Sequence, residues 1–219
     1  MSLFDRSEPP VMQIDWATRA RSAAPCFAWT DTPLGRALLI ADPDALTGLH
    51  FERQRHMPAI GPDWIEAAAH PVLQAARRQL DEYCAGRRLV FDVPLRLVGT
   101  AFQQAVWRSI AAIAAGRSSS YRALAVAAGN PAATRAAGAA TGRNPISVIV
   151  PCHRVMGSDG AITGYAGGLH RKRALLAFEA TASAGRAATL AQFAREADAG
   201  AFGVAAAAGS PGTDRLPGL

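Results

Sequence analysis

Apolar and polar positions alternate at two different periods along the chain. Short runs at Cys26 to Thr30, Arg36 to Ala41 and Leu49 to Glu52 have the length and composition of strands, and DTPLG and DPDA supply turns between them. From His70 to Gly86 the period changes: Leu73, Ala76, Leu80 and Tyr83 fall on one helical face, and Gly86 is a stop signal. Leu89 to Leu97 is a further strand, placed at a sheet edge because Pro94 cannot donate to a ladder. Thr100 is an N-cap for a helix whose apolar stripe is Phe102, Val106, Trp107, Ile110 and Ile113, ending at Gly116.

A second helix, capped by Ser119 or Ser120, is expected to run to Ala128 and close at Gly129. Asn130 then caps a third, with Pro131 at its first position. Two short helices joined by a glycine-containing turn have the form of a helix-turn-helix. Ser147 to Val150 is a β-branched run that predicts a short buried strand, stopped by Pro151 and leading directly to Cys152. MGSDG is a turn, Ala161 to Gly168 a glycine-rich loop, and Leu169 to Glu179 a helix packed through Leu175, Leu176 and Phe178. Leu190, Phe193 and Ala197 have the spacing of one more short helix, and GSPGTDRLPGL beyond it has a disordered composition. The fold class is therefore α/β, with an expected flexible arm at 1–24, an α/β domain at 25–97, a mostly helical domain at 98–181 and an Ala/Gly-rich, partly disordered tail at 182–219.

Composition narrows the function. Half of the 219 residues are hydrophobic, the formal charge is +6 and the pI is about 10.0, which suits a polyanionic partner. Lys172 is the only lysine. No apolar run reaches the length of a membrane span, and the polar N-terminus lacks a signal-peptide core, so a cytoplasmic protein is expected. Cys26, Cys84 and Cys152 are too far apart for a C-x-x-C pair, which argues against a disulfide framework and against a zinc site. His50 has no credible set of metal-ligand partners.

The candidate chemistry lies in NPISVIVPCHRV, Asn144 to Val155. A thiol becomes nucleophilic as its thiolate, and cationic neighbours such as Arg154 favour that form. The His153 imidazole can take the proton directly or through a water. The third helix, ATRAAGAATG, carries one long side chain, Arg135, among small residues, and lacks the Asn and Gln side chains that read base edges. Such a smooth face suits close approach to a narrow groove, with the arginine entering the base stack.

These residues resemble the O6-alkylguanine-DNA alkyltransferases, also called methylated-DNA–protein-cysteine methyltransferases. The resemblance is carried by PCHRV together with GTAFQQAVW, SYRALAVAAGNP, ATRAAGAATGRNP and GYAGGLHRKRALLAFE, and covers residues 25 to 180. It implies a ribonuclease-H-like N-terminal domain and a winged-helix-like DNA-binding domain. It further implies a monomer that needs no cofactor or metal, flips O6-alkylguanine out of double-stranded DNA, and takes the alkyl group on Cys152 once. His153 is implied as a water-mediated base, Glu179 as its orienting group and Asn144 as the brace of the cysteine turn. Tyr121, Tyr165, the Ala166 amide and the Cys152 and Val155 carbonyls are implied to contact the base and alkyl group. Ala133, Thr134, Arg135, Ala136, Gly138 and Arg154 are assigned to DNA.

Two rival readings remain. One is a non-catalytic alkyltransferase-like protein that only binds damage, which Cys152 argues against. The other is a Cys-His hydrolase or thiol regulator, which the helix-turn-helix with Arg135 argues against.

Overall fold

The computed structural model describes residues 12–18 and 24–199. The N-terminal half is a six-stranded sheet in the order β1-β6-β4-β3-β2-β5. Its strands are β1 Ile14–Ala17, β2 Cys26–Thr30, β3 Ala37–Ala41, β4 Leu46–Phe51, β5 Ile65–Glu66 and β6 Leu95–Val98. Helix α1, Pro71–Cys84, crosses one face and buries Leu73, Ala76, Leu80 and Tyr83, the stripe expected from spacing. Alternation along β3 explains the rest: Leu39 joins the main core on that side, while Leu38 and Ile40 point the other way and meet Met57 and Trp64.

Two expectations need correction here. Part of the expected N-terminal arm is a strand: β1 pairs parallel with β6, Asp15 opposite Arg96. The four residues IDWA are too few to show a period, and a buried Arg96 fixes them from across the sheet by donating to Asp15 at 2.7 Å and also to Asp42. The rest of the expected arm before residue 12 and at 19–23 lies outside the described residues. β6 is not an edge either, since it lies between β1 and β4. Pro94 sits just before the strand, where its missing N–H is harmless and its carbonyl accepts from Leu46 at 2.8 Å.

The C-terminal half begins with α2, Ala101–Ala111, capped by Thr100 in a reciprocal box with Gln103. Ser120 caps α3, Tyr121–Ala127, through the Ala123 amide. The next helix, α4, is Thr134–Gly142 with Ala133 as N-cap. It starts later than Pro131 because the Ala133 amide closes a turn onto the Asn130 carbonyl at 3.0 Å. Trp107 of α2 donates its indole N–H to the Ala140 carbonyl at 2.9 Å, which ties α4 to the core. Short strands β7, Ser119–Ser120, and β8, Val155–Met156, pair in parallel. One contiguous core runs through both halves, from Ala28 to Ala194.

Helix α5, Leu169–Ser183, runs beyond the expected boundary at 181, and α6, Leu190–Asp198, packs back on it. Leu190, Phe193 and Ala194 are buried, and the Phe178 and Phe193 rings meet edge to face at 6.4 Å. The first part of the expected tail is thus a core element, whereas the stretch from 200 onward lies outside the described residues. Among the described residues no helix is long and apolar enough to cross a membrane.

Phe193→Ala removes a buried ring at the α5–α6 contact, a loss of about 3 kcal/mol. The expected result is a melting temperature lower by roughly 6–12 °C, with a similar or larger drop for a chain ending at Ser183. Thermal unfolding curves check this, and unchanged curves would show that α6 adds nothing to the domain.

Candidate active site

The apolar run before Cys152 is buried, but it is not a strand. Ile146 makes one isolated bridge to Leu49, and the following residues coil back, with the Val150 amide donating to the Ile146 carbonyl at 3.0 Å. The organiser is the Asn144 side chain. Its Oδ1 accepts from the Ile146 amide at 3.1 Å, and its Nδ2 donates to the Val150 carbonyl at 2.7 Å. Val148 adopts φ +68°, a left-handed conformation rare for a β-branched residue and costing on the order of 1–3 kcal/mol. Sequence periodicity reported the burial of this segment correctly but could not report that a side chain replaces the ladder.

Cys152 opens a single 3-10 turn, Cys152–Arg154. Its Sγ accepts from Asn144 Nδ2 at 3.1 Å. Burial pushes the thiol up, against the lowering effects of the Asn144 donor and the Lys172 charge. The resting sulfur is therefore a thiol at neutral pH, in a site built to accept the negative charge once the proton leaves.

His153 is fully buried, with Nε2 3.0 Å from Glu179 Oε1. A carboxylate partner can only accept, which places the proton on Nε2 and leaves Nδ1 as the basic nitrogen. Nδ1 has no hydrogen-bond partner among the described residues. Burial pushes the imidazole below its ordinary value despite Glu179, so it too rests neutral. Glu179 is not the solvated carboxylate that its place near a helix end suggests. Arg154 donates to both of its oxygens at 2.8 Å, and the Tyr83 hydroxyl of α1 donates at 2.7 Å. Burial opposes its ionisation, but His153 and Arg154 outweigh burial and hold the carboxyl well below the usual range.

Arg154 is therefore misassigned to DNA. It is 6% exposed, and its third nitrogen, Nη1, donates to the Ile113 carbonyl. The basic residues 170–173 in the first turn of α5 divide in the same way. Lys172 is wholly buried and donates to the carbonyls of Val155 at 2.5 Å and Thr163 at 2.6 Å, while burial pushes its amine down to about 8. Arg171 donates to the Leu34 and Gly167 carbonyls. Only His170 and Arg173 are exposed. Lys172 and Tyr83 are the members of this site that sequence reasoning missed. The one lysine in a chain of arginines was the available signal for the first; Tyr83 gave none beyond a core position.

The remaining candidates surround the sulfur. Tyr165 stands with its ring edge to face with His153 at 6.5 Å, and burial, then the charge at Cys152, pushes its phenol well up. Tyr121 donates to the carbonyls of Thr163 at 3.2 Å and Gly164 at 3.3 Å, linking α3 to the glycine-rich loop. The Ala166 carbonyl accepts from the Arg55 amide at 3.0 Å, and the Val155 carbonyl is already engaged by Lys172. On α4, Arg135 and Ala136 are exposed, and Ala133, Thr134 and Gly138 are half-buried. Tyr121 lies against this helix: a Cβ on Gly138 would sit 3.7 Å from its ring. His50 is buried, and among the described residues no group of His, Cys, Asp and Glu has the arrangement of a metal site.

Both halves of the chain are similar to known proteins. Residues 101–181 match the family model described as 6-O-methylguanine DNA methyltransferase, DNA binding domain, and residues 26–97 match the ribonuclease-like domain of the same family. The methylated-DNA–protein-cysteine methyltransferase of Haemophilus influenzae is 41% identical over 154 residues, 70% of this chain and 85% of its own length. The protein of that name from Mycobacterium tuberculosis is 44% identical over 149 residues, 68% of this chain and 88% of its own. A crystal structure of Mycobacterium tuberculosis OGT in complex with DNA superposes with a TM-score of 0.70 at 39% identity, covering 77% of this chain and 98% of that one. With both halves matched and relatives at this identity aligned over most of their length, the chain belongs to the 6-O-methylguanine DNA methyltransferase family.

Proposed function

We propose that this protein repairs DNA by moving an alkyl group from O6 of guanine to Cys152 Sγ, once per molecule. The observation that carries the reading is the joint placement of Asn144 on Sγ and Glu179 on the neighbouring imidazole. The names of the relatives support it. The damage-binding rival is disfavoured because the thiol is present and furnished with a donor and a base.

In this reading the thiol proton passes to His153 Nδ1, directly or through one water. Glu179 stabilises the imidazolium through Nε2, and Asn144 Nδ2 and the Lys172 charge stabilise the thiolate. The sulfur attacks the alkyl carbon, the carbon–oxygen bond breaks, and its electron pair goes to the guanine, which takes up one proton from water while the imidazolium returns the thiol proton to water, so that no net proton is gained or lost. The Ala166 amide donates to the departing oxygen, the Cys152 and Val155 carbonyls accept from the base amino group, and Tyr165 walls the alkyl side. The thioether has no leaving group that water can expel, so the molecule is spent. The cost of extruding the nucleotide, a few kcal/mol, falls when alkylation has already weakened the pair. Exposed Arg135 on the small-residue face of α4 fills the vacated stack, with Ala133, Thr134, Ala136 and Gly138 allowing close approach to the minor groove. We place the catalytic and DNA-binding unit in the C-terminal half of a monomer, from residue 98 through α5.

Intact-mass measurement against excess duplex bearing O6-methylguanine should show one added methyl group, on the Cys152 peptide, and then no more. Cys152→Ser should show none while binding the duplex as well as the parent. A mass gain at another residue, or continued turnover, overturns the proposal.

Arg135→Ala should slow repair of duplex by about tenfold or more, in line with the extrusion cost. Its reaction with free O6-benzylguanine, which needs no extrusion, should stay within about twofold of the parent. Equal losses would assign Arg135 to pocket shape instead.

The pH profile follows from two neutral partners with separated pKa values. His153 is held below its ordinary 6.5 and Cys152 above its ordinary 9.0. Proton transfer needs a neutral imidazole and a protonated thiol, so the rate with O6-benzylguanine should stay flat from about pH 7 down through 6.5 and fall below it, and it should also decline above about 8, where Lys172 loses the charge that favours the thiolate. A fall that begins at neutral pH would mean an unperturbed histidine.

A further inference from the structure

One buried polar side chain near the site has no role in the steps above. Gln54 is 6% exposed and lies in the turn that follows β4, in the N-terminal half. Both ends of its carboxamide are engaged. Oε1 accepts from the Phe51 amide at 3.1 Å and from the Ser147 hydroxyl at 3.1 Å. Nε2 faces His50 Nδ1 at 3.4 Å. Two donors converge on one end of the amide, which must therefore be its oxygen, and the NH2 end is left to donate to His50. A neutral ring is needed for that contact, and burial pushes the His50 imidazole down to about 4.

Ser147 belongs to the coil that ends at Cys152 and directly precedes the left-handed Val148. All its polar groups are used: the hydroxyl on Gln54, the amide on the Leu49 carbonyl at 2.9 Å, and the carbonyl on the Ile149 amide at 2.8 Å. Two of these three anchors lie in the N-terminal half. The residue after Gln54 completes the grip, since the Arg55 amide donates to the Ala166 carbonyl in the pocket loop. One turn of the ribonuclease-like half thus holds both the coil that carries the nucleophile and the loop that faces it.

We infer that Gln54 is a positioning residue for alkyl transfer, holding the Val148 turn through Ser147 so that Cys152 Sγ stays in line with the alkyl carbon. The inference rests on the alkyl-transfer reading above. Asn144 braces the coil from within, but its contacts fall on Ile146, Val150 and Cys152 and leave Ser147 and Val148 to the other half. A turn with a strained centre needs an anchor on each side, and a displacement of Sγ by a fraction of a bond length is costly for in-line attack.

The test uses the full chain and free O6-benzylguanine, which removes DNA binding and base extrusion from the measurement. The maximal transfer rate and the half-saturating concentration are measured for the parent, Gln54→Leu, Ser147→Ala and the double variant, well below their melting temperatures. Expected is a maximal rate about tenfold lower in each single variant, with half-saturation within about twofold of the parent. The double variant should be no slower than the worse single one, because both changes break the same link. A purely structural role would lower the melting temperature and leave the rate of the folded protein alone. If Gln54→Leu does not fold, Gln54→Met takes its place and must lose rate as Ser147→Ala does, because the Ser147 hydroxyl also lies beside Tyr165. Rates within about twofold of the parent, or losses that multiply in the double variant, overturn the inference. A parent that transfers neither a benzyl group nor a methyl group from duplex takes the alkyl-transfer reading down with it, and one that transfers only methyl moves the same comparison to that substrate; a parent that transfers while the variants match it condemns only the role of Gln54.

Discussion

The Glu179 carboxylate is the constraint on which the rest of the site depends. A buried charge survives only when it is paired and hydrogen-bonded on all sides, and removing one partner typically costs about 3–5 kcal/mol. Glu179 meets that condition with three donor residues from two places: His153 and Arg154 in the turn that Cys152 opens, and Tyr83 in α1. The carboxylate itself comes from α5. A single ionised group thereby fixes the C-terminal helix, the catalytic turn and the helix of the N-terminal half against one another. The same contact selects the His153 tautomer, so the structural and chemical roles of Glu179 cannot be separated by mutation of the carboxylate alone.

The coil before Cys152 obeys a second constraint. Buried backbone groups must find partners, and this segment has no neighbouring strand to supply them beyond the single Leu49–Ile146 bridge. Asn144 substitutes for a strand by offering one acceptor and two donors from a side chain, and its last contact falls on the sulfur. The geometry that satisfies the backbone is thus the geometry that prepares the nucleophile. Such an arrangement tolerates a residue like Val148 at φ +68° because both flanks are held.

What the sequence made legible follows the reach of each signal. Helical faces and caps depend on neighbours within one turn, so the α1 stripe, the Thr100 cap and the Ser120 cap were readable. β1 was not, because four residues carry no period and the strand exists only through Arg96 and its β6 partner. The 147–150 run was read as a strand because β-branched residues and burial produce the same pattern whether the backbone is extended or coiled. Arg154 was read by its charge, and Lys172 only as the single lysine. Their real partners, Glu179, Val155 and Thr163, are distant in sequence and turn two apparent surface cations into buried fasteners.

Burial also bears on how a reactive cysteine can wait in a cell without being consumed. A thiolate held permanently by a cation would react with any electrophile that reached it. Here burial keeps the thiol protonated and the imidazole neutral, so the Cys152–His153 pair stores no separated charge at rest. In the proposed reaction the groups that favour the anion, Asn144 Nδ2 and the Lys172 ammonium, count most when a proton moves to His153. The energetic benefit of those groups is therefore reserved for the moment when sulfur is already attacking, which is where binding energy accelerates a reaction. With no second use of the sulfur to protect, a protein that works once gains most from a nucleophile that is inert until its substrate is in place.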